Sequence, residues 1–198
     1  MPTWAFDAIG TAWQIDSKQP LPDEARRVVT DLIDDFDRAW SRFRSDSLIT
    51  RLATTGTVPA HRDAGAMLDL LAEMSAVTKG AVNPLVGGSL AALGYDATYS
   101  LREGDAVPAP QDWRDRLTWD EQHLVLEGPA GEVLDVGSLG KGRLVDLVFA
   151  ALRPYASGDL VVDASGDLAV RGTSVRIGLE HPFDTSRAIG VWEVRDQA

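Results

Sequence analysis

Val133-Leu-Asp-Val-Gly-Ser-Leu-Gly-Lys-Gly-Arg-Leu-Val-Asp146 is the stretch from which the architecture of this chain reads outward. The apolar run Val133 to Val136 predicts a strand, the glycine-punctuated segment with Lys141 a tight turn, and Leu144 to Leu152 an amphipathic helix. A strand, a tight turn and a helix start bring unpaired backbone N–H groups and one cation to a single point, which suits a phosphate or pyrophosphate. The spacing is not that of a P-loop, which sets four residues between two glycines before Lys-Ser/Thr, and it is not G-x-G-x-x-G. Standing alone, such a segment is more often a tight turn and nothing else.

Working outward, Leu21-Pro22-Asp23-Glu24 puts a proline and two acids where a first helical turn favours them. Ala25, Val28, Val29, Leu32, Ile33, Phe36, Ala39 and Trp40 then recur at helical spacing, with Arg26, Arg27, Asp31, Asp34, Asp35 and Arg38 on a solvated face. A second helix is predicted from Ala64 to Thr78, with Met67, Leu68, Leu71 and Met74 inward and Lys79-Gly80 as its stop. Residues 97–116, with Gly104, Pro108 and Pro110, read as a long surface loop. Short strands are predicted at Leu117 to Trp119, Leu124 to Leu126, Leu160 to Val162, Leu168 to Arg171, Val175 to Leu179 and Ile189 to Val194. Turns are predicted at Asp120-Glu121 and at Gly128-Pro129-Ala130-Gly131. Short neighbouring strands favour antiparallel pairing, and only the helix after Val133–Val136 offers a parallel crossover, to Leu160–Val162. The expected fold is α+β: a single domain with a mostly antiparallel sheet packed against about three helices.

Composition narrows the function classes. The 198 residues are enough for one substantial core, and 44% hydrophobic with 25% charged residues is ordinary for a globular protein. A net charge of −11 repels nucleic acid and anionic membranes, and makes any bound phosphate depend on local cations or a divalent metal. The absence of cysteine removes disulfides, thiolate zinc sites and cysteine nucleophiles. The N-terminus carries no signal-peptide pattern, and no apolar run approaches the ~20 residues of a membrane span, so a cytoplasmic location is the default expectation. His61, His123 and His181 lie apart with no metal-like spacing, and no G-x-S-x-G nucleophile elbow is present.

Several stretches, in order along the chain, carry a resemblance. They are Ala8-Ile9-Gly10-Thr11, Trp40-Ser41-Arg42-Phe43-Arg44-Ser45-Asp46-Ser47, and Gly80-Ala81-Val82-Asn83-Pro84-Leu85-Val86-Gly87 with Leu93-Gly94-Tyr95. The opening stretch Val133–Asp146 follows, then Ser165-Gly166-Asp167 and Ile177-Gly178-Leu179-Glu180-His181-Pro182. Together they resemble the FAD:protein FMN transferases, the ApbE-like flavin transferases, over essentially the whole chain. Asn83 stands where that family usually has aspartate, Leu85 where it has threonine, and Phe43 where it has tyrosine. The family's later Thr-Ser-Gly, His-x-x-Asp-Pro and Ala-Asp-x-x-x-Thr segments find no match before Ala198. The expectation is therefore one ApbE-like domain over residues 1–198 that lacks the family's C-terminal segment, as a fragment or a degenerate relative.

The resemblance implies that Lys141 and Asp135 belong to an FAD site, that Ala81, Val82 and Asn83 hold the flavin through backbone and amide contacts, and that Phe43 and Ile9 supply ring and apolar contacts. It gives the backbone carbonyl of Ser138 to a magnesium ion. The plainer readings stay open beside these: a solvated lysine capping a turn, a strand-end carboxylate, an Asn-Pro turn, a core phenylalanine. Asp146 and Asp167 read as well for cap or turn duty as for chemistry. The activity implied is transfer of FMN from FAD to a Thr or Ser hydroxyl of a client protein, with magnesium, releasing AMP. The alternatives are a magnesium-dependent FAD pyrophosphatase giving FMN and AMP, an FAD-binding module without turnover, and a structural relative that keeps only the fold.

Overall fold

In a computed structural model of the chain, residues 1–129 and 131–197 are described. In chain order the elements begin with strands β1 (Thr3–Ala8) and β2 (Thr11–Ser17), then helices α1 (Asp23–Trp40) and α2 (Leu48–Thr55). Strand β3 (Thr57–Pro59), helices α3 (Ala64–Val77), α4 (Gly87–Ala92) and α5 (Trp113–Arg116), and strands β4 (Leu117–Trp119) and β5 (His123–Leu126) follow. Helix α6 (Gly140–Leu152) and strands β6 (Leu160–Ala164), β7 (Asp167–His181) and β8 (Asp184–Gln197) complete the described chain. The α+β expectation stands: one domain with antiparallel sheets, with two sheets and six helices among the described residues rather than about three helices. It falls into two compact units, Met1–Ile33 with Lys141–Ala198, and Asp34–Gly140.

The first unit is built on a five-stranded sheet in the order β1-β2-β6-β7-β8, every neighbour antiparallel. The parallel crossover expected after Val133–Val136 does not exist, because that segment joins no sheet and β6 pairs antiparallel with β2 and β7. Strand β6 is the central strand and is apolar on both faces, with Leu160, Val161, Val162 and Ala164 all buried. Two expected strands, Leu168–Arg171 and Val175–Leu179, are one strand, β7, whose register shifts between Val170 and Ser174 where Gly172 adopts a φ of 81°.

The second unit carries a three-stranded sheet in the order β3-β5-β4. Helix α2, unforeseen in the sequence, is held at both ends. Ser47 Oγ accepts from Thr50 N at its start, and Gly56, at φ 72°, donates its N–H to Leu52 O at its end. Helix α3 ends as expected, with Lys79 and Gly80 both in the left-handed region. The predicted 97–116 loop ends in α5, whose Trp113 is buried with its Nε1 donating to Ser75 Oγ. The Asp120-Glu121 turn is present, with Asp120 Oδ1 accepting from Gln122 N and His123 N. The turn expected at 128–131 includes Ala130, which lies outside the described residues.

Residues 133–136 join no sheet and bond instead to the segment that leads into α4. Gly87 N donates to Val133 O at 3.1 Å and Asp135 N to Pro84 O at 2.8 Å. The backbones approach closely there: a Cβ on Gly87 would sit 2.6 Å from Val133 O, so only glycine fits.

Candidate functional site

Each unit holds part of the residue set singled out by the sequence. In the first unit, three features gather at one end of the five-stranded sheet. The β1–β2 turn places Ile9 at φ 46° and Gly10 at φ 76°, a two-residue turn with both central residues left-handed. Such a φ is a strained conformation for a β-branched residue. The β6–β7 turn repeats the device with Ser165 at φ 53° and Gly166 at φ 109°, and Ser165 Oγ donates to Ala12 O at 2.9 Å. Lys141, second residue of α6, completes the group.

The Lys141 ammonium donates to Ala164 O at 2.8 Å and Ser165 O at 3.1 Å, and pairs with Asp167 Oδ2 at 3.1 Å. Three acceptors match its three N–H groups. The side chain is nonetheless 33% exposed and Asp167 41% exposed, so the ion pair sits at the surface and can exchange partners. Beside it opens a cleft of about 290 Å³ lined by Gly142, Asp146, Asp167, Leu168, Ile177 and Trp192. Desolvation pushes the Asp146 carboxyl above the usual range, and the Arg143 charge opposes that shift.

In the second unit, Asp135 is the centre. Its Oδ1 accepts from Gly137 N at 2.7 Å and its Oδ2 from Arg42 Nε at 2.6 Å. The Arg42 side chain is 5% exposed and that of Asp135 11%. The guanidinium lies 4.3 Å from the Phe43 ring centroid and 4.7 Å from that of Tyr95. Phe43 also stacks on Tyr99, centroids 4.8 Å apart and planes 12° apart, while Tyr95 meets both rings edge-on. Tyr99 thus already makes with Phe43 the kind of stacking contact that a flavin or adenine ring would make.

The Ala81–Asn83 segment is internally bonded. Ala81 N donates to Thr78 O and Val82 N to Thr78 Oγ1. Asn83 is buried; its Nδ2 donates to Pro110 O at 2.8 Å and its Oδ1 accepts from Leu85 N at 2.9 Å. The Asn83 amide thus shapes the turn and pins the 110 loop. Ser138 lies exposed between Gly137 and the start of α6. Among the described residues no three or more His, Cys, Asp or Glu side chains gather as a metal site. Trp40–Ser47 has a structural account as well: Ser47 caps α2, while Arg44 binds Asp46 at 2.9 Å and Asp37 at 3.0 Å. His61 Nε2 meets Asp35 at 3.1 Å, and its Nδ1 accepts from Asp63 N.

Arg42, which sequence reasoning left without a role, is the shielded partner of Asp135. It follows the end of α1, where an arginine reads as solvated, and its partner is 93 residues away. The available signal was its place beside Phe43 and Tyr95-type aromatics, on which a guanidinium stacks.

An antiparallel α+β chain with a lysine at the start of a helix and a clamped aspartate just before it defines the class of protein to look for. The model of the ApbE family matches residues 9–198, and the chain belongs to that family. Solved structures share the fold at low sequence identity. The flavin transferase ApbE from Vibrio cholerae superimposes with a TM-score of 0.79 at 20% identity, over 98% of this chain and 69% of that one. The apo flavinyl transferase ApbE from Pseudomonas stutzeri gives 0.76 at 20% identity, over 98% and 66%. The ApbE protein from Thermotoga maritima gives 0.79 at 16% identity, over 99% and 68%. No curated protein matches the chain significantly in sequence. No helix among the described residues is long and apolar enough to cross a membrane.

Proposed function

We propose that this chain binds FAD and transfers its FMN half to a Thr or Ser hydroxyl of a client protein, releasing AMP. The observation that carries this reading is membership of the ApbE family across residues 9–198. In the reaction the hydroxyl oxygen attacks the FMN phosphorus, the bond from that phosphorus to the bridging oxygen breaks, and AMP leaves with that oxygen. The hydroxyl proton passes to solvent or to the leaving phosphate. Such a transfer is largely a matter of positioning and charge neutralisation.

Lys141 is the residue assigned to the diphosphate. Its ammonium exchanges Asp167, the one charged acceptor among its three, for a phosphate oxygen, while Ala164 O and Ser165 O keep it aimed. Asp135 and the backbone of Ala81, Val82 and Asn83 are assigned to neutral parts of the nucleotide, and Ile9 to an apolar contact. Phe43 offers a ring face only where Tyr99 gives it up.

The magnesium ion belongs to this reading by resemblance, with the Ser138 carbonyl as its protein ligand. One carbonyl and no cluster of side chains among the described residues do not make a cage for a divalent cation, so no step is routed through it.

Two alternatives stand beside this reading: an FAD-binding module without turnover, and hydrolysis of FAD with water as the acceptor. Incubation with FAD, Mg²⁺ and a Thr-containing client peptide separates the readings. A fluorescent flavin-bearing peptide with equimolar AMP supports transfer, and FMN with AMP supports hydrolysis with water as acceptor. Bound FAD without AMP supports the module, and no bound FAD rejects all three.

A further inference from the structure

Arg42 has no role in the reading above, yet its side chain is only 5% exposed. Both oxygens of Asp135 are held, one by Arg42 Nε and one by Gly137 N, so the plane of the carboxylate is set from two sides. The guanidinium is itself fixed by the Phe43 and Tyr95 rings. A lysine could neutralise Asp135 but could not combine an in-plane N–H bond with two ring contacts. The clamp is not fully spent: Arg42 Nη2 is buried without a hydrogen-bond partner among the described residues. An unneutralised carboxylate would repel a dinucleotide that carries two negative phosphates, in a chain of net charge −11.

We propose that Arg42 is a positioning residue for the nucleotide. It cancels the charge of Asp135 and locks its carboxylate in one orientation, so that the remaining lone pairs accept from a hydroxyl or amine of FAD. This inference rests on the assignment of Asp135 to the flavin nucleotide.

The test is a double-mutant cycle read twice, by FAD titration and by urea unfolding, on wild type, Arg42→Met, Asp135→Asn and the double variant. Partners that orient a ligating group typically cost about 10–100-fold on removal, so Arg42→Met is expected to weaken FAD binding at least tenfold. The double variant is expected to bind no more weakly than Asp135→Asn, because Arg42 acts through Asp135. Arg42→Lys, which keeps the charge and spares the fold if Arg42→Met does not survive, is expected to recover only part of the affinity. Wild-type affinity in Arg42→Met or Arg42→Lys, or a double variant showing the product of the two single losses, would overturn the proposal. Failure of the wild type to bind FAD, with the two residues still coupled in unfolding, would overturn the flavin assignment and leave the pair a structural clamp only.

Discussion

Two ion pairs hold the two residues on which the functional reading leans, and they are built in opposite ways. Asp135 meets Arg42 where both side chains are almost wholly shielded, with ring faces against the cation and a backbone N–H on the second carboxylate oxygen. Lys141 meets Asp167 where a third or more of each side chain is wet, and its other partners are carbonyls of a turn. A shielded pair cannot lose one member cheaply, because the survivor is stranded away from water. A wet pair contributes little and trades partners readily. The contrast assigns stiffness to Asp135 and exchange to Lys141, which is what a fixed acceptor and a phosphate-receiving cation respectively require.

The largest effect follows from breaking the shielded pair. Arg42→Ala is expected to cost about 3–5 kcal/mol of unfolding free energy in guanidinium titrations. A loss comparable to that of an exposed arginine would remove the contrast. Next comes Gly87→Ala, whose Cβ would collide with Val133 O on the segment that leads to Asp135. Forcing apart that approach is expected to cost about 1–3 kcal/mol and to loosen Asp135, seen as faster exchange of its N–H, which bonds Pro84 O.

Lys141→Ala is expected to change stability by no more than about 1 kcal/mol, since its ion pair is wet. A drop as large as that of Arg42→Ala would show that the two sites are built alike.

The smallest effect concerns Asp96, a half-buried residue whose carboxylate is held by hydrogen bonds from its own loop. Hydrogen bonds from the Ser100 and Thr98 side chains, then from their backbone N–H groups, hold it well below the usual carboxylate range. A depressed carboxyl stabilises above its unfolded value of about 3.9 and loses that contribution as pH falls through the folded value. The Thr98 and Ser100 amide resonances should therefore stay constant from neutral pH down to about 4 and move only in stronger acid. Movement near pH 6 would contradict the assignment.

Much of this was legible in the residues. Helix α1 announced itself through eight apolar positions at helical spacing, and α3 through its inward Met67, Leu68 and Leu71 and its Lys79-Gly80 stop. Antiparallel pairing followed from short, closely spaced strands. What stayed hidden has physical reasons. The β1–β2 hairpin turns on Ile9-Gly10, with isoleucine where Asn or Asp would signal a type I′ turn. Helix α2 has only eight residues and depends on its Ser47 and Gly56 caps more than on periodicity. The run Val133–Val136 has the composition of a strand, but composition cannot say that a carbonyl there accepts from Gly87 N and an N–H donates to Pro84 O.

Lys141 and Asp135 could be singled out as candidates, the first from glycines and charge and both from the order of the motifs that carry the resemblance. Their partners could not. Asp167 and Ala164 reach Lys141 through the β6–β7 turn, and Arg42 reaches Asp135 across 93 residues. Asn83 shows another limit: its place in the motif suggested a ligand contact, and only the structure shows that its amide also bonds Pro110 O and Leu85 N.

Calorimetric titration of FAD into wild type, Lys141→Ala and Lys79→Ala bears most directly on the claim that the α6 start receives the dinucleotide. The account predicts saturable binding to wild type and to Lys79→Ala, and binding at least about tenfold weaker to Lys141→Ala, since a lost charged contact is worth about 1.5–3 kcal/mol. Equal affinity in all three, or no binding to wild type, would contradict it.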